Sequence, residues 1–278
     1  MTSLGEVLRL STEHLAAKGS ETPRLDAERL LAKALDLERI ELYMALDRKL
    51  TPPELDAARA LVARRARREP LQYVLGEWGF RRLTLTVDQR ALIPRPETEV
   101  LVERALALLA GIDRPRVLDV GTGSGAIALA IADEHPGAII TGLDSSADAL
   151  ALAAENAART GFAVAWVRHD LFEGLPAGPW DLIVSNPPYV DAADLPILQP
   201  EVRDWEPHAA LSAAGAVEAV ARRALAVLAR GGGLALEVGD GQAPAATALL
   251  SDLGYASIAV TSDLAGRDRV VEAMFLPH

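Results

Sequence analysis

The chain has 278 residues, no cysteine and a formal net charge of −11. Those numbers exclude a disulfide framework and a thiolate metal site, and they count against a dedicated nucleic-acid binder, which carries a basic face. Half of the residues are hydrophobic, yet no run reaches bilayer length and the first residues lack the basic-then-apolar pattern of a signal peptide, so a soluble cytoplasmic protein is expected. The five histidines are scattered without ligand spacing, and no metal is expected.

From Leu4 to about Arg68 the pattern is helical. Leu4, Leu8 and Leu15 recur at helical spacing, and Pro23 opens a second segment striped by Leu25, Leu30, Leu31, Ala34 and Leu35. Thr51-Pro52-Pro53-Glu54 reads as N-cap, proline start and early acid of a third helix. No catalytic constellation falls in this module, so it reads as a binding or positioning domain. Its Arg64, Arg65, Arg67 and Arg68 fit a solvated helix face, balanced by Glu54, Asp56 and Glu69, better than an RNA-binding patch.

The stretch 80–87 alternates apolar with polar, as does a strand in a hairpin that links two domains. Leu92-Ile93-Pro94-Arg95-Pro96-Glu97-Thr98-Glu99 is a rigid Pro-X-Pro turn running into a helix, with Glu97 and Glu99 at the positive end of its dipole. Such a turn can also cover a pocket, with Arg95, Pro96, Glu97 and Thr98 as the cover and Arg95 reaching an acidic group. Beyond it, strand signals at 116–120, 138–143, 163–168, 181–184 and 234–238 alternate with helical ones at 126–134, 147–159 and 216–230. That alternation implies an α/β fold, an open and largely parallel sheet with ligands at the carboxyl ends of its strands. Residues 256–260 and 269–275 close it as an antiparallel hairpin. The expected segments are a helical domain at 1–75, a β-hairpin linker at 76–93 and an α/β domain at 94–278.

Within that domain, Val117-Leu118-Asp119-Val120 leads into Gly121-Thr122-Gly123-Ser124-Gly125 and then a helix. Glycines allow positive φ and close backbone approach, and a helix start supplies N–H groups. Asp144 ends the next strand, nineteen residues past Gly125, where a carboxylate can accept from a ribose diol. Gly121, Gly123 and Ala126 also satisfy a dinucleotide fingerprint, so the loop alone leaves the nucleoside cofactor open; no Lys-Ser/Thr follows it, which excludes a P-loop. Asp170, Leu171 and Phe172 follow the third strand, offering an acid to an adenine amine and apolar neighbours to its ring.

Asn186-Pro187-Pro188-Tyr189 ends the next apolar run. Two prolines stiffen the backbone and remove two N–H donors, leaving carbonyl oxygens; Asn186 adds an amide oxygen and Tyr189 a flat apolar face. Acceptors beside an aromatic plate suit a planar –NH2 group, either a carboxamide or a nucleobase amine. The tetrapeptide alone reads equally well as a strand stop. Four consecutive strand ends that each carry a fitting group point instead to an adenosine cofactor whose reactive end meets an –NH2 pocket.

These residues together resemble the seven-strand methyltransferases that use S-adenosyl-L-methionine and, more narrowly, the HemK/PrmC family of release factor glutamine methyltransferases. The likeness spans nearly the whole chain, including Pro23-Arg24-Leu25-Asp26-Ala27-Glu28, Pro70-Leu71-Gln72-Tyr73, Gly76-Glu77, the 92–99 turn and Glu206-Pro207-His208. It implies a seven-strand Rossmann-like sheet with a small N-terminal helical-bundle domain that recognises the substrate. It also implies S-adenosyl-L-methionine bound by Gly121, Thr122, Gly123, Ser124, Gly125, Asp144, Asp170, Leu171, Phe172 and Asn186. The implied substrate is the glutamine of a Gly-Gly-Gln loop on a class-1 peptide chain release factor, held by Asn186, Pro187, Pro188 and Tyr189, with no DNA or membrane partner. Two departures stand out: Ser212-Ala213-Ala214 where the family tends to glycine, and Leu171 where relatives can be aromatic, which shifts adenine packing toward Phe172. A DNA or RNA adenine amino-methyltransferase would use the same pocket, but the acidic balance and the lack of a base-reading domain count against it. A silent nucleoside-binding module is disfavoured by the intact tetrapeptide, and a dinucleotide oxidoreductase by the lack of a hydride-transfer residue.

Overall fold

A computed structural model describes residues 2–276; residues 1, 277 and 278, at the outer ends of the first and last expected segments, lie outside the described residues. Contacts divide the chain into two units, one running up to Glu77 and taking in Gln199–Trp205, the other comprising Trp78–Leu198 and the chain from Glu206 onward.

The first unit is helical: α1 (Leu4–Ala17), α2 (Pro23–Leu35), α3 (Arg39–Met44), α4 (Pro52–Ala66) and α5 (Leu71–Leu75). Leu4, Leu8 and Leu15 share one face of α1 and are buried, as are Leu30 and Leu31 of α2 and Ala58 and Val62 of α4. Pro23 starts α2, and Thr51 caps α4, its backbone N–H and Oγ1 donating to Glu54 Oε2 at 2.8 and 2.9 Å. Thr51→Ala removes this capping box and should lower stability by about 1 kcal/mol, read as a lower urea midpoint at unchanged m.

The solvated face expected of Arg64, Arg65, Arg67 and Arg68 holds in part: Arg67 is exposed and Arg64 is balanced by Glu69, while Arg65 and Arg68 turn into an ion-pair cluster. Arg64 pairs with Glu69, its Nε donating to Oε2 at 3.0 Å. Arg65 is 6 % exposed, with Nε donating to Asp26 Oδ2 at 2.7 Å and Nη1 to Glu201 Oε1 at 2.8 Å. Arg68 Nε donates to the same Glu201 oxygen at 2.7 Å. A planar fork reaches two carboxylates at once, so the cluster ties α4 to α2 and to the short α9 (Pro200–Arg203).

The stretch 80–87 holds the turn, at Arg81 and Arg82, and the second strand of a hairpin formed by β1 (Glu77–Phe80) and β2 (Leu83–Thr86). Arg81 sits there at φ +51°, its N–H donating to Glu99 Oε1 at 2.9 Å and its guanidinium to Glu134 at 2.6 and 2.7 Å. Those carboxylates hold a conformation that an L residue rarely adopts.

Seven strands follow: β3 (Arg116–Val120), β4 (Ile139–Asp144), β5 (Ala165–Arg168), β6 (Trp180–Ser185), β7 (Leu228–Glu237), β8 (Ala256–Ser262) and β9 (Asp268–Met274). Their order is β5-β4-β3-β6-β7-β9-β8, parallel from β5 to β7, with β9 antiparallel to both of its neighbours. One face packs in a cluster with residues of α6 (Thr98–Leu108), α7 (Ala126–Glu134) and α8 (Ala147–Thr160); the other packs with residues of α11 (Ala216–Ala224) and α12 (Ala243–Asp252). The short α10 (His208–Leu211) lies between α9 and α11 in the chain.

The helix expected at 216–230 stops at Ala224, because Leu228 pairs with Trp180 and the following residues bulge before Gly233 rejoins the ladder opposite Leu182. Chain order runs outward from β3 to β5 and then returns to β6 on the other side of β3. The crevice at that reversal, outside the carboxyl ends of β3 and β6, is where open α/β sheets take ligands. Among the described residues no helix is long and apolar enough to cross a membrane, and no group of His, Asp and Glu gathers as a metal-ligand set.

Candidate active site

The glycine loop leaves β3 beside β4. The N–H groups of Gly121 and Thr122 both donate to Leu143 O, at 2.8 and 2.9 Å. Gly121, Gly123 and Gly125 have φ of +75°, +55° and +80°, a region that favours glycine. A Cβ at Gly125 would also stand 3.0 Å from the Trp166 ring and 3.2 Å from Ala153 Cβ, so that glycine serves the start of α7. Beside Gly121, by contrast, a Cβ would meet no protein atom within 4 Å.

Asp119 is fully buried beneath the loop; Oδ2 accepts from Thr122 Oγ1 at 2.6 Å and from Ala128 N at 3.2 Å, while Oδ1 has no partner. Burial pushes this carboxyl up to about 7. Asn156 of α8, also buried, donates from Nδ2 to Ser124 O at 3.0 Å and so fixes the loop from behind.

A cavity of about 370 Å³ opens over the loop, within the range of small-molecule sites. Gly121, Thr122, Gly123 and Ser124 line it, Gly125 does not. Asp144 also lines it, Oδ2 accepting from Gly123 N and Oδ1 from Ser146 N, both at 2.9 Å. Each of these oxygens keeps a second acceptor direction, which suits a vicinal diol. Asp170, Leu171 and Phe172 line the cavity as well; Phe172 N donates to Asp170 Oδ1 at 2.9 Å, and the Phe172 ring is half exposed. A diol acceptor, an apolar plate and open space beside side-chain-free backbone fit an adenosine group.

From the 92–99 turn, Arg95 and Thr98 reach the cavity, Pro96 and Glu97 do not. Arg95 Nη2 donates to Glu206 Oε1 at 2.6 Å, and Ile93 N donates to Oε2 at 3.4 Å. Glu206 is buried, which pushes its carboxyl up while Arg95 pulls it back.

The tetrapeptide after β6 divides between two cavities. Asn186 and Pro188 line the first; Pro188 and Tyr189 line a second of about 310 Å³, and Pro187 is buried, lining neither. Asn186 Nδ2 donates to Thr98 Oγ1 at 3.2 Å, so Oδ1 is the acceptor left to offer. Tyr189 does not bring its ring to the first cavity. The ring lies close enough to Gly239 that a Cβ there would come within 3.0 Å of Tyr189 Cδ2. Its hydroxyl donates to Glu237 Oε1 at 3.4 Å, and its carbonyl accepts from Gln242 Nε2 at 2.9 Å.

Sequence reasoning missed Glu206, Glu237 and Gln242. Glu237 carries a legible signal, since it ends β7, the next strand of the parallel row, as Asp144 ends β4.

Residues 6–76 match the family described as the PrmC N-terminal domain, and residues 98–230 that described as the methyltransferase small domain. Among similar curated proteins, the release factor glutamine methyltransferase of Geobacter sulfurreducens is 45% identical over 273 residues, covering 97% of this chain and 95% of its own length. That of Deinococcus radiodurans is 42% identical, covering 97% and 98%. Among solved structures, the 16S rRNA N2 G1207 methyltransferase of T. thermophilus, in complex with AdoMet and guanosine, aligns with a TM-score of 0.52 and 20% identity over 72% of this chain and 49% of its own, a likeness of fold alone. Full-length identity at this level, together with the seven-strand sheet and the Asn-Pro-Pro-Tyr strand end, shows that the chain belongs to the release factor glutamine methyltransferase family.

Proposed function

We propose that this protein methylates the side-chain amide nitrogen of a glutamine, that of the Gly-Gly-Gln loop in a class-1 peptide chain release factor, using S-adenosyl-L-methionine. The observation that carries the reading is the orientation of Asn186: with Nδ2 engaged by Thr98, its Oδ1 is the free acceptor at the edge of the adenosine-sized cavity. Asp144 takes the ribose hydroxyls, Asp170 and Phe172 the adenine, and the loop from Gly121 to Ser124 gives the backbone room for the amino-acid portion. Bound there, the cofactor supplies an electrophilic sulfonium methyl.

The chain's own task is to make a poor nucleophile competent. An amide nitrogen has its lone pair delocalised into the carbonyl. Asn186 Oδ1 accepts one of its hydrogens, which aligns the nitrogen and stabilises the positive charge that grows on it. Pro187 and Pro188 have no N–H to compete for that acceptor. Tyr189 contributes by anchoring, through Gln242 and Glu237, the end of the segment that presents it. Arg95, held by Glu206, walls the same cavity. The helical unit recognises the release factor.

The test is transfer of labelled methyl from S-adenosyl-L-methionine to a release factor, to the same factor with the loop glutamine replaced, and to duplex DNA. Label is expected on the intact factor alone. Label on the DNA instead would make this an adenine amino-methyltransferase.

A further inference from the structure

The Pro-X-Pro turn that leads into α6 cannot tie itself down. Pro94 and Pro96 have no N–H, and among the described residues the only donors between Leu92 and Glu97 that find a partner are the Ile93 N–H and the Arg95 guanidinium. Both go to one side chain. Glu206, 113 residues beyond Ile93, accepts from Arg95 Nη2 at Oε1 (2.6 Å) and from Ile93 N at Oε2 (3.4 Å). Its side chain is 1 % exposed and does not line the first cavity, whereas Ile93, Arg95 and Thr98 do. A buried carboxylate is costly even when paired, and an apolar side chain could pack beneath the turn without that cost. What the carboxylate adds is direction: two bonds at set lengths fix the backbone of Ile93 and the guanidinium of Arg95 together.

The far end of the turn carries that position to the substrate acceptor. Thr98 N donates to Arg95 O at 3.1 Å, and Thr98 Oγ1 accepts from Asn186 Nδ2 at 3.2 Å. Thr98 is buried, so its hydroxyl is kept from water. Each link from Glu206 to the Asn186 amide is thus a hydrogen bond or the short span of chain between Arg95 and Thr98. A shift of about 1 Å in the turn would stretch the contact to Asn186 beyond hydrogen-bonding range. The amide would then be free to turn over and present Nδ2 to the cavity, and a donor there repels an incoming –NH2 group.

We propose that Glu206 is a positioning residue for methyl transfer: by clamping Ile93 and Arg95 it fixes the turn whose Thr98 holds the Asn186 amide with Oδ1 toward the cavity. This rests on the reading of Asn186 Oδ1 as the substrate acceptor. Glu206 is the informative position, because Arg95 itself faces the cavity and its replacement would also disturb whatever binds there.

The full-length protein and its E206A, E206Q, T98V, T98S and E206A/T98V variants test this. E206A removes both acceptors from the turn and should lower kcat at least about tenfold, the order set by one lost hydrogen bond to a charged group. KM for the release factor and affinity for S-adenosylhomocysteine should stay within about twofold. The side-chain amide introduced by E206Q has one oxygen for two donors, so its kcat should fall between wild type and E206A. T98V, which cuts the link to Asn186, should lose about as much as E206A, and T98S, which keeps the hydroxyl, should stay near wild type. The double variant should be no worse than the poorer single, since both changes break one chain of contacts. In the ligand-free protein, the side-chain amide resonances of Asn186 should move in E206A and T98V but not in T98S. Wild-type kcat or unmoved Asn186 resonances in a folded E206A overturn the proposal, as do losses that multiply in the double variant. Weakened S-adenosylhomocysteine binding with unchanged kcat at saturating cofactor also overturns it, since the pair would then serve the cavity wall alone. If E206A does not fold, the kcat and the Asn186 resonances of E206Q are read in the same way. A wild-type protein that labels no release factor sinks the substrate reading, while the Asn186 resonances still decide whether Glu206 governs that amide.

Discussion

Asn186→Ala should lower turnover on a release factor by roughly 10²–10³-fold, the usual loss for removing one preorganised group aimed at developing charge. Its Oδ1 is the one side-chain acceptor that the tetrapeptide offers to the first cavity, because both prolines lack polar side chains and Tyr189 lines the second. Cofactor affinity, measured by calorimetry, should change only a few-fold. The diol acceptor Asp144 and the glycine loop belong to β4 and β3, and neither hydrogen-bonds to Asn186. The loss should therefore fall on kcat and not on cofactor binding, as for an interaction made in the transition state. The variant leaves Thr98 Oγ1 without its donor, a stability loss of about 1 kcal/mol that an unfolding curve reports separately. A folded Asn186→Ala protein with near-wild-type kcat would mean that the substrate amide is gripped elsewhere.

The elements that were legible in the sequence are those whose signals are local. The strand at 116–120 and the helix at 126–134 coincide with β3 and α7, because an apolar run bounded by glycines leaves little choice. Asp144 and the glycine loop do converge, since consecutive parallel strand ends must share one edge of the sheet. What was not legible depends on partners far along the chain. Arg65 looks like a surface charge until Asp26 and Glu201 close around it. The end of α11 was misjudged because Leu225 and Leu228 continue a helical spacing, and only Trp180 draws Leu228 into the sheet. Tyr189 turns to the second cavity because Gly239 leaves room for its ring and Gln242 holds its carbonyl, fifty-three residues on. Glu237 escaped notice for a different reason: its parallel with Asp144 was visible, but an acid at a strand end acquires meaning only from what it touches.

Between pH 6 and 8.5 the second unit should lose stability. Burial holds the Asp119 carboxyl at about 7 against an ordinary 3.8, and that of Glu237 at about 7 against 4.5. A raised carboxyl value means that the folded protein binds the proton more tightly than the unfolded chain does. The fold is therefore favoured while pH is low, and the advantage disappears as pH climbs through about 7, above which a buried charge remains. The ceiling is roughly 4 kcal/mol for Asp119 and roughly 3 for Glu237 over the whole range from the ordinary value up to about 7, of which about 1.4 kcal/mol each falls between pH 6 and 8.5. Carboxylates held low by arginines, such as Glu134 and Glu201, work in the opposite sense, but their contribution is complete by about pH 6 and drops out of this window. Denaturant unfolding at the two pH values checks the slope, and a flat wild-type profile would refute the assignment. Asp119→Asn should remove its share: the amide oxygen still accepts from Thr122 and Ala128, while the new Nδ2 replaces an oxygen that had no partner either. That unpaired group costs about 1–3 kcal/mol at pH 6, so the variant starts less stable and crosses above wild type as pH rises. Glu237→Gln should show the same crossing, because a neutral amide escapes the charge that burial penalises above about pH 7.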